Sequence, residues 1–261
     1  SRRSLASRAA STMTALYAHG GRELTEEQER RYLESIVSRS KRIPLQHILG
    51  KTEFMGLTFE VNQDVLCPRP DTEILVEEVL KHLHDGMRIL DIGTGSGCIL
   101  LSLLHYSNDC RGVGADISEK ALRTARANAE RLSAEGVSFA ESDLFAEIEG
   151  QFEIIVSNPP YIRRADIENL MPEVRDHDPR TALDGGEDGL FFYREITAGA
   201  KDHLPRGGML FYEIGYDQGE AVRRIMEESG FREIEIVKDF SGLDRVVFGT
   251  LYACGRSGVP V

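Results

Sequence analysis

One short stretch, Asn158-Pro159-Pro160-Tyr161, places a side-chain amide beside two prolines and an aromatic ring. Three β-branched residues at 154–156 come directly before it and predict a strand buried on both faces. The prolines end that strand, because neither can donate to a sheet ladder. We therefore predict that Asn158 lies at the carboxyl end of a buried strand, where open α/β sheets bind ligands. A plain end of a strand is the alternative.

A glycine-rich loop at residues 91–97 reads Asp-Ile-Gly-Thr-Gly-Ser-Gly. Glycine permits positive φ and lets a ligand approach the backbone, and a helix that begins here offers free N–H groups. A dinucleotide fingerprint needs glycine at the sixth position from Gly93, where Cys98 stands, so an NAD oxidoreductase is excluded. The spacing resembles the loop by which class I methyltransferases hold S-adenosylmethionine; a tight strand-to-helix turn is the alternative. The resemblance assigns cofactor binding to Gly93, Thr94, Gly95, Ser96 and Gly97.

Acidic residues follow the next two predicted strands. Asp116 ends one of them, and a carboxylate there can accept hydrogen bonds from both ribose hydroxyls. Either Asp116 or Ser118 can equally be the N-cap of the following helix. Asp143 can accept from the adenine amino group while Leu144 packs on the purine. We expect these residues to contact the cofactor together with Asn158.

Strands and helices alternate from residue 88 onward. We predict strands at 88–92, 112–115, 137–140, 153–157, 208–214, 233–238 and 245–251, with helices at 97–105, 119–132, 190–204 and 218–229. This alternation predicts an α/β fold with a doubly wound, mostly parallel seven-stranded sheet. A Ser-Gly-Leu-Asp turn joins the last two strands, so we expect them to be antiparallel.

A helical segment and a hairpin precede this sheet. Residues 1–20 carry a weak helical pattern, and Thr25 with Gln28 forms a capping box that predicts a second helix. Residues 52–61 alternate around Gly56 and predict a β-hairpin. We therefore expect a helical N-terminal segment at 1–50, a hairpin linker at 51–70, a catalytic domain at 71–253 and a tail without pattern at 254–261.

Further stretches resemble the HemK/PrmC family. They are Pro-Leu-Gln-His-Ile-Leu-Gly at 44–50, Pro-Arg-Pro-Asp-Thr-Glu at 68–73, the segment 172–190, and Tyr-Glu-Ile-Gly at 212–215. Those enzymes methylate the side-chain amide nitrogen of glutamine in the Gly-Gly-Gln motif of class 1 peptide chain release factors, which modulates translation termination. The resemblance covers residues 44–252. The family's N-terminal domain has several helices, and the shorter segment here predicts an incomplete docking surface for the release factor.

The resemblance, together with the chemistry of an amide, implies roles for the site residues. The Asn158 side-chain carbonyl and the Pro159 backbone carbonyl are expected to accept the two N–H bonds of the substrate amide. Pro160 stiffens the turn, and Tyr161 packs against the flat amide. Asn158, Pro159 and Tyr161 are the expected catalytic residues, and S-adenosylmethionine leaves as S-adenosylhomocysteine. Expected substrate contacts are Asn158, Pro159, Pro160, Tyr161, Arg69 and Arg180.

The polar segment 163–189 is rich in Gly, Asp and Pro, and a loop of that length in a compact domain is usually functional. We predict a lid over the Gly-Gly-Gln backbone, with Arg175 and Arg180 as anchors. In the alternative interpretation these arginines pair with Glu173, Asp176 or Asp178.

Three more residues are expected at the margins of the site. Arg69 and Thr72 are placed at its mouth, although Thr72 fits an ordinary helix start equally well. Glu213 ends a strand at the same edge of the sheet, beside the expected position of the methionine end of the cofactor.

The net charge of −12 is unevenly distributed, with +5 over residues 1–51 and −17 over residues 52–261. The negative charge of residues 52–261 disfavours contacts with the phosphates of nucleic acids, so no direct sequence-specific nucleic-acid binding is expected. This disfavours the nearest alternative, a nucleic-acid adenine-N6 or cytosine-N4 methyltransferase, which needs base flipping and a basic groove. A methyltransferase-like binding protein without catalysis is disfavoured by the intact glycine loop, Asp116, Asp143 and Asn158.

The four cysteines have no CxxC spacing, and the seven histidines have no HxH or HExxH spacing, so no metal site is expected. Scattered cysteines fit a reducing compartment, and neither a membrane span nor a signal peptide is visible. We expect a cytoplasmic monomer whose partners are release factors; an organellar origin is also compatible with the sequence.

Overall fold

A computed structural model describes residues 23–252 of the chain. The helical pattern predicted at 1–20 and the tail predicted at 254–261 therefore lie outside the described residues. Within the described part, no helix is long and apolar enough to cross a membrane.

The predicted second helix is confirmed as α1 (Glu26–Ser40), and a short helix α2 (Leu45–Leu49) follows it. Thr25 Oγ1 accepts a 3.2 Å hydrogen bond from the Gln28 backbone N–H, and Gln28 Oε1 accepts one of 3.0 Å from the Thr25 N–H. This reciprocal pair is the predicted capping box. Several apolar side chains of α1 are exposed: Leu33, Ile36 and Val37.

The predicted hairpin is also confirmed. Strands β1 (Lys51–Phe54) and β2 (Leu57–Glu60) pair antiparallel around a two-residue turn. Met55 and Gly56 have φ values of 49° and 71°, as a type I′ turn between twisted strands requires. Asn128 makes two hydrogen bonds with the backbone of β2 and so ties the hairpin to the body of the molecule.

Seven strands form the main sheet, as predicted. The remaining strands are β3 (Arg88–Ile92), β4 (Arg111–Asp116), β5 (Val137–Glu141), β6 (Ile154–Ser157), β7 (Met209–Glu213), β8 (Phe231–Lys238) and β9 (Asp244–Leu251). Their order in space is β5-β4-β3-β6-β7-β9-β8. The first five are parallel, and β9 is antiparallel to both of its neighbours. The sequence did not indicate that β9 lies inside the sheet and β8 at its edge.

Helices cover both faces of the sheet. They are α3 (Pro70–His82), α4 (Cys98–His105), α5 (Glu119–Arg131), α7 (Phe191–His203) and α8 (Gly219–Glu228), whereas the short helix α6 (Pro172–Arg175) lies in the segment 163–189. Side chains alternate along β6, so Ile154 and Val156 join the core under α3 and α4, whereas Ile155 joins the core under α7 and α8. Burial on both faces explains the unbroken β-branched run in this strand.

The sheet reverses its strand order at β3. The chain crosses from β3 to β4 on one side, and β6 pairs with β3 on the other side. Ser157 Oγ donates a 2.7 Å hydrogen bond to the Ile92 carbonyl and joins the carboxyl ends of β3 and β6. The connections that leave these two strands diverge, which opens the crevice where doubly wound folds bind ligands.

Candidate active site

A cavity of about 1310 Å³ opens at the carboxyl edge of the sheet. Most of the predicted site residues line it: Arg69, Gly93, Thr94, Gly95, Ser96, Asp116, Asp143, Leu144, Asn158, Pro159, Pro160 and Arg180. The structure thus brings together residues from the ends of four neighbouring strands and from the segment 163–189. Gly97 and Tyr161 are not part of this wall.

The glycine loop after β3 uses its glycines for backbone geometry. Gly93, Gly95 and Gly97 have φ values of 73°, 56° and 80°, in the left-handed region that favours glycine. The Gly93 N–H donates to the Ala115 carbonyl at 2.8 Å, which folds the loop over the end of β4. A Cβ at Gly97 would lie 3.1 Å from the Leu101 side chain, so Gly97 allows the close start of α4 instead of contacting the cavity.

Asp116 connects this loop to β4. Its Oδ2 accepts a 2.9 Å hydrogen bond from the Gly95 N–H, and its Oδ1 accepts one of 2.9 Å from the Ser118 N–H. Burial raises the pKa of Asp116, and the two N–H donors act in the opposite direction. Ser118 is the N-cap of α5, since its side chain accepts from the Ala121 N–H. Asp116 is therefore a carboxylate of the cavity wall and not the helix cap.

A second carboxyl group, Asp91, is fully buried at the base of the loop. Its Oδ2 accepts a 2.7 Å hydrogen bond from Thr94 Oγ1, whereas Oδ1 has no hydrogen-bond partner among residues 23–252. Burial raises the pKa of Asp91 to about 7, and the Thr94 hydrogen bond opposes that shift. An acceptor held without a partner under a ligand-binding loop can receive a donor from a ligand.

The turn after β5 presents an acidic and an apolar side chain to the cavity. Asp143 is exposed, and Leu144 has a φ of 53°, which is uncommon for a branched residue. Ser142 Oγ donates to the Leu144 carbonyl at 2.9 Å and accepts from the Glu147 N–H at 3.0 Å. These two bonds hold the unusual conformation of Leu144 in place.

Asn158 directly follows β6 and is half-buried. Its Nδ2 donates a 3.4 Å hydrogen bond to Thr72 Oγ1. Because the nitrogen is engaged there, Oδ1 is the atom of this amide that remains to accept from a ligand. Arg69 occupies the N-cap position of α3. Thr72 is the third residue of this helix, and its side chain also lines the cavity.

The turn that follows β6 is held from behind by the segment 183–189. The Ile162 N–H donates to the Leu183 carbonyl at 3.0 Å, and Gln218 Nε2 donates to the Tyr161 carbonyl at 3.0 Å. The Tyr161 side chain packs against the core under α7 and α8. The Tyr161 ring does not line the cavity, and its expected packing against a bound amide stays a prediction.

Ion pairs fix much of the segment 163–189. Arg175 pairs with Asp176 at 2.7 Å, which is the alternative considered from the sequence. Glu173 pairs with Arg39 and Arg42 of the α1 region. Arg180, by contrast, lines the cavity, and its guanidinium lies 3.6 Å from the Glu168 carboxylate in an exposed pair. Of the two predicted anchors, Arg180 is therefore the one that reaches the site.

Asp178 locks this segment to the start of α3 through a 2.7 Å ion pair with Arg69. Burial raises the pKa of Asp178, and Arg69 acts in the opposite direction. Ligand-type atoms of His47, Cys67 and Asp178 lie within 4.8 Å of one another, a grouping that sequence spacing did not reveal. The Arg69 guanidinium already compensates the charge of Asp178, so we interpret this cluster as a structural lock.

Several apolar residues of the cavity wall were not among the predicted ones, and two of them are large and exposed. Ile117 follows Asp116 directly and is exposed, and Phe191 is exposed at the first turn of α7. An apolar residue between the end of a strand and the N-cap Ser118 was a usable signal for Ile117. Phe191 lies off the helical stripe formed by Tyr193, Ile196 and Ala200, and an aromatic residue off that stripe was a usable signal.

Comparison with known proteins adds family information. The model of the methyltransferase small domain matches residues 69–176, and that of the PrmC N-terminal domain matches residues 4–50. The release factor glutamine methyltransferase of Clostridium acetobutylicum is 46% identical over 231 residues, 86% of this chain and 81% of its own length. The protein of the same name from Geobacter sulfurreducens is 44% identical over 237 residues, 90% of this chain and 83% of its own length.

A solved structure supports the fold alone. A Thermus thermophilus 16S rRNA methyltransferase, solved in complex with AdoMet and guanosine, is similar with a TM-score of 0.57 at 19% identity. The match covers 77% of this chain and 49% of that one.

Proposed function

This chain belongs to the family of release factor glutamine methyltransferases, and we propose that it methylates the side-chain amide nitrogen of the glutamine in the Gly-Gly-Gln motif of class 1 peptide chain release factors. One observation carries this proposal: the Asn158 amide lies on the cavity wall, its nitrogen donates to Thr72, and its oxygen accepts no hydrogen bond from residues 23–252. An acceptor in that position fits the N–H of a primary amide.

The residues around the glycine loop fit S-adenosylmethionine as the methyl donor. The Asp116 carboxylate would accept the ribose hydroxyls, and Asp143 would accept the adenine amino group. Leu144 and Ile117 offer apolar surfaces for the purine, and the buried Asp91 oxygen without a partner can receive a donor. When bound, the cofactor supplies a methyl group already activated by the sulfonium, and the product is S-adenosylhomocysteine.

Residues of the chain then position the nitrogen of the substrate amide and localise its lone pair. Asn158 Oδ1 and the Pro159 carbonyl each accept one N–H of the glutamine amide, so the lone pair points away from both acceptors. These hydrogen bonds strengthen as the nitrogen becomes cationic, and they therefore stabilise the transition state more than the ground state. Proline lacks an N–H, so neither Pro159 nor Pro160 adds a competing donor beside the reacting nitrogen.

Proton transfer needs no dedicated base. Nitrogen that has gained a methyl group is strongly acidic while it still carries its extra proton, and that proton leaves to water. Pro160 keeps the turn rigid, and the Tyr161 carbonyl bonded to Gln218 supports the turn from behind. We assign Tyr161 this supporting role in place of the expected contact with the amide.

The backbone of the Gly-Gly-Gln loop is expected under the segment 163–189. Arg180 and Arg69 line that side of the cavity, and Phe191 offers an exposed ring to the flat peptide groups of glycine. Arg69 is held by Asp178, so its position is set before the substrate arrives. We expect one chain to act as a monomer on one release factor.

A labelling experiment tests the proposal. The protein is incubated with radiolabelled S-adenosylmethionine and one candidate substrate at a time. The candidates are a class 1 release factor, its variant carrying alanine for the Gly-Gly-Gln glutamine, and duplex DNA. We expect label on the unmodified release factor and none on the alanine variant or on DNA. Label on DNA would support a nucleic-acid methyltransferase, and no label anywhere would support a binding protein without catalysis.

A further inference from the structure

Glu213 ends β7 immediately behind Asn158. Strands β6 and β7 are parallel with Ser157 paired to Tyr212, so Asn158, the residue after β6, follows this pair on one side and Glu213 follows it on the other. Glu213 is 2% exposed, and its Oε2 has no hydrogen-bond partner within the described part of the chain. A buried carboxyl group placed directly behind a site amide is costly unless it has a function or a partner.

The neighbours of this carboxylate are hydrogen-bond donors that belong to the site. Burial raises the pKa of Glu213 to about 7, and the nearby Thr72 hydroxyl and Asn158 amide act in the opposite direction. Asn158 Nδ2 also donates to Thr72 Oγ1. We therefore treat the Asn158–Thr72 hydrogen bond and the Glu213 carboxyl group, which lies within reach of both side chains, as one polar network at the cavity wall.

The direction of hydrogen bonding in this network depends on the Glu213 carboxylate. An ionised carboxylate can only accept, so it takes the single hydrogen of the Thr72 hydroxyl. The Thr72 oxygen then accepts from Asn158 Nδ2, and Asn158 Oδ1 faces the cavity. A protonated Glu213 can instead donate to the Thr72 oxygen. The Thr72 hydroxyl then donates its own hydrogen to Asn158 Oδ1, which requires the Asn158 amide group to rotate. The rotated amide would present its NH₂ to the substrate NH₂, and two donors cannot bond.

We propose that Glu213 is a positioning residue that acts through Thr72 to hold the acceptor oxygen of Asn158 toward the substrate amide. This role rests on the proposed function, because it deepens the account of the same site. Only the ionised form of Glu213 sets the productive direction, so activity is expected to rise with pH as this carboxyl group loses its proton.

Other charged and titratable groups surround Glu213 on every side. Arg245 of β9 favours its ionised form, whereas Asp71 of α3 opposes it. Three further titratable groups lie near Glu213: Tyr161, Cys98 of α4 and Tyr193 of α7. Burial raises the pKa of each, so all three stay neutral near pH 7. The Tyr193 hydroxyl donates to the Glu213 backbone carbonyl at 2.9 Å. Among these groups Glu213 is thus the one whose charge changes near neutral pH.

The test compares pH profiles of kcat on a release factor at saturating cofactor. For the wild type we expect an acid limb with a midpoint near 7. For Glu213→Gln we expect a fall in kcat at pH 8 of roughly tenfold or more, the loss of the acid limb, and unchanged affinity for S-adenosylmethionine. The exposed carboxylate of Glu228 on α8 provides the matched control, and Glu228→Gln should keep the wild-type profile.

A second pair of variants covers the case in which Glu213→Gln does not fold. Thr72→Val removes the relay and should lower kcat to a similar extent, and Thr72→Ser, which keeps the hydroxyl, should restore it. Wild-type kcat in Thr72→Val, or an acid limb that persists in Glu213→Gln, overturns the inference; such a limb would point to Asp91. An inactive wild-type protein would instead refute the proposed function itself.

Discussion

The backbone N–H of Gly95 donates a 2.9 Å hydrogen bond to Oδ2 of Asp116. The glycine loop after β3 and the carboxylate at the end of β4 are therefore one unit before any ligand binds. A Cβ at Gly114, on β4, would approach Thr94 Oγ1 to 2.9 Å, so the loop packs closely on that strand. Such preorganisation lowers the entropic cost of binding.

Asp116→Asn should weaken cofactor binding. The amide keeps the shape of the carboxylate but loses its charge and one acceptor for the N–H groups of Gly95 and Ser118. We expect the Kd for S-adenosylmethionine to rise roughly tenfold or more, and kcat at saturating cofactor to change little. Isothermal titration calorimetry measures the Kd. Asp202→Asn, on an exposed position of α7, is the control, and equal affinities in both variants would contradict the assignment.

Asn158→Ala should separate chemistry from cofactor binding. It removes one of the two proposed acceptors for the substrate amide but leaves the glycine loop intact. We expect kcat to fall roughly 100-fold or more, the scale for one preorganised partner, with unchanged affinity for the cofactor. Single-turnover methylation of a release factor measures the effect. Asn169→Ala, in an exposed part of the segment 163–189, should remain fully active, and undiminished turnover in Asn158→Ala would remove Asn158 from the mechanism.

Asp91→Asn should stabilise the ligand-free protein increasingly as pH rises. The folded-state pKa of Asp91 is raised to about 7 from an ordinary value of 3.8. Its contribution to stability is therefore full below pH 3.8 and is lost as pH rises through 7. Between pH 4 and pH 8 the free energy of unfolding of the variant should therefore rise relative to that of the wild type. The rise is at most about 4 kcal/mol, at 1.36 kcal/mol per pKa unit.

Denaturant unfolding at pH 4, 6 and 8 without cofactor measures this difference. Asp202→Asn again serves as the control, because its exposed carboxylate should leave the pH dependence of the wild type unchanged. If the stability difference between Asp91→Asn and the wild type were the same at all three pH values, the buried charge would not be its source.

Gly185→Ala should disturb the turn after β6 without affecting the glycine loop. A Cβ at Gly185 would lie 2.7 Å from the Tyr161 Cα and 2.9 Å from the Pro160 carbonyl, so the turn must move. We expect kcat to fall by at least tenfold, since small displacements of positioning groups are costly, while the Kd for S-adenosylmethionine is kept. Gly86→Ala introduces strain at a φ of 80° far from the cavity, with open space around it. Gly86→Ala should lower the stability of the protein and leave kcat unchanged. Similar losses of kcat in both variants would show that displacement of the turn after β6 is not the cause.

Local patterns determined much of the fold because their causes are local. The capping box at Thr25, the turn at Gly56 and the two prolines after β6 each depend on hydrogen bonds or φ values within a few residues. Alternation of strands and helices determined the parallel sheet, since a parallel pair needs a crossover. The carboxyl edge followed from that topology, and with it the expected meeting of Gly95, Asp116 and Asn158.

The tertiary structure decided which side chains contact one another across the chain. The place of β9 between β7 and β8 depends on the packing of both sheet faces, which no short pattern encodes. The Tyr161 side chain packs against the core, and Gln218, 57 residues away, binds its backbone carbonyl. Thr72, Asn158 and Glu213 meet only because α3 packs over the ends of β6 and β7. The sequence determined that a planar amide stands at the edge of the sheet, and tertiary packing decided which of its atoms faces the ligand.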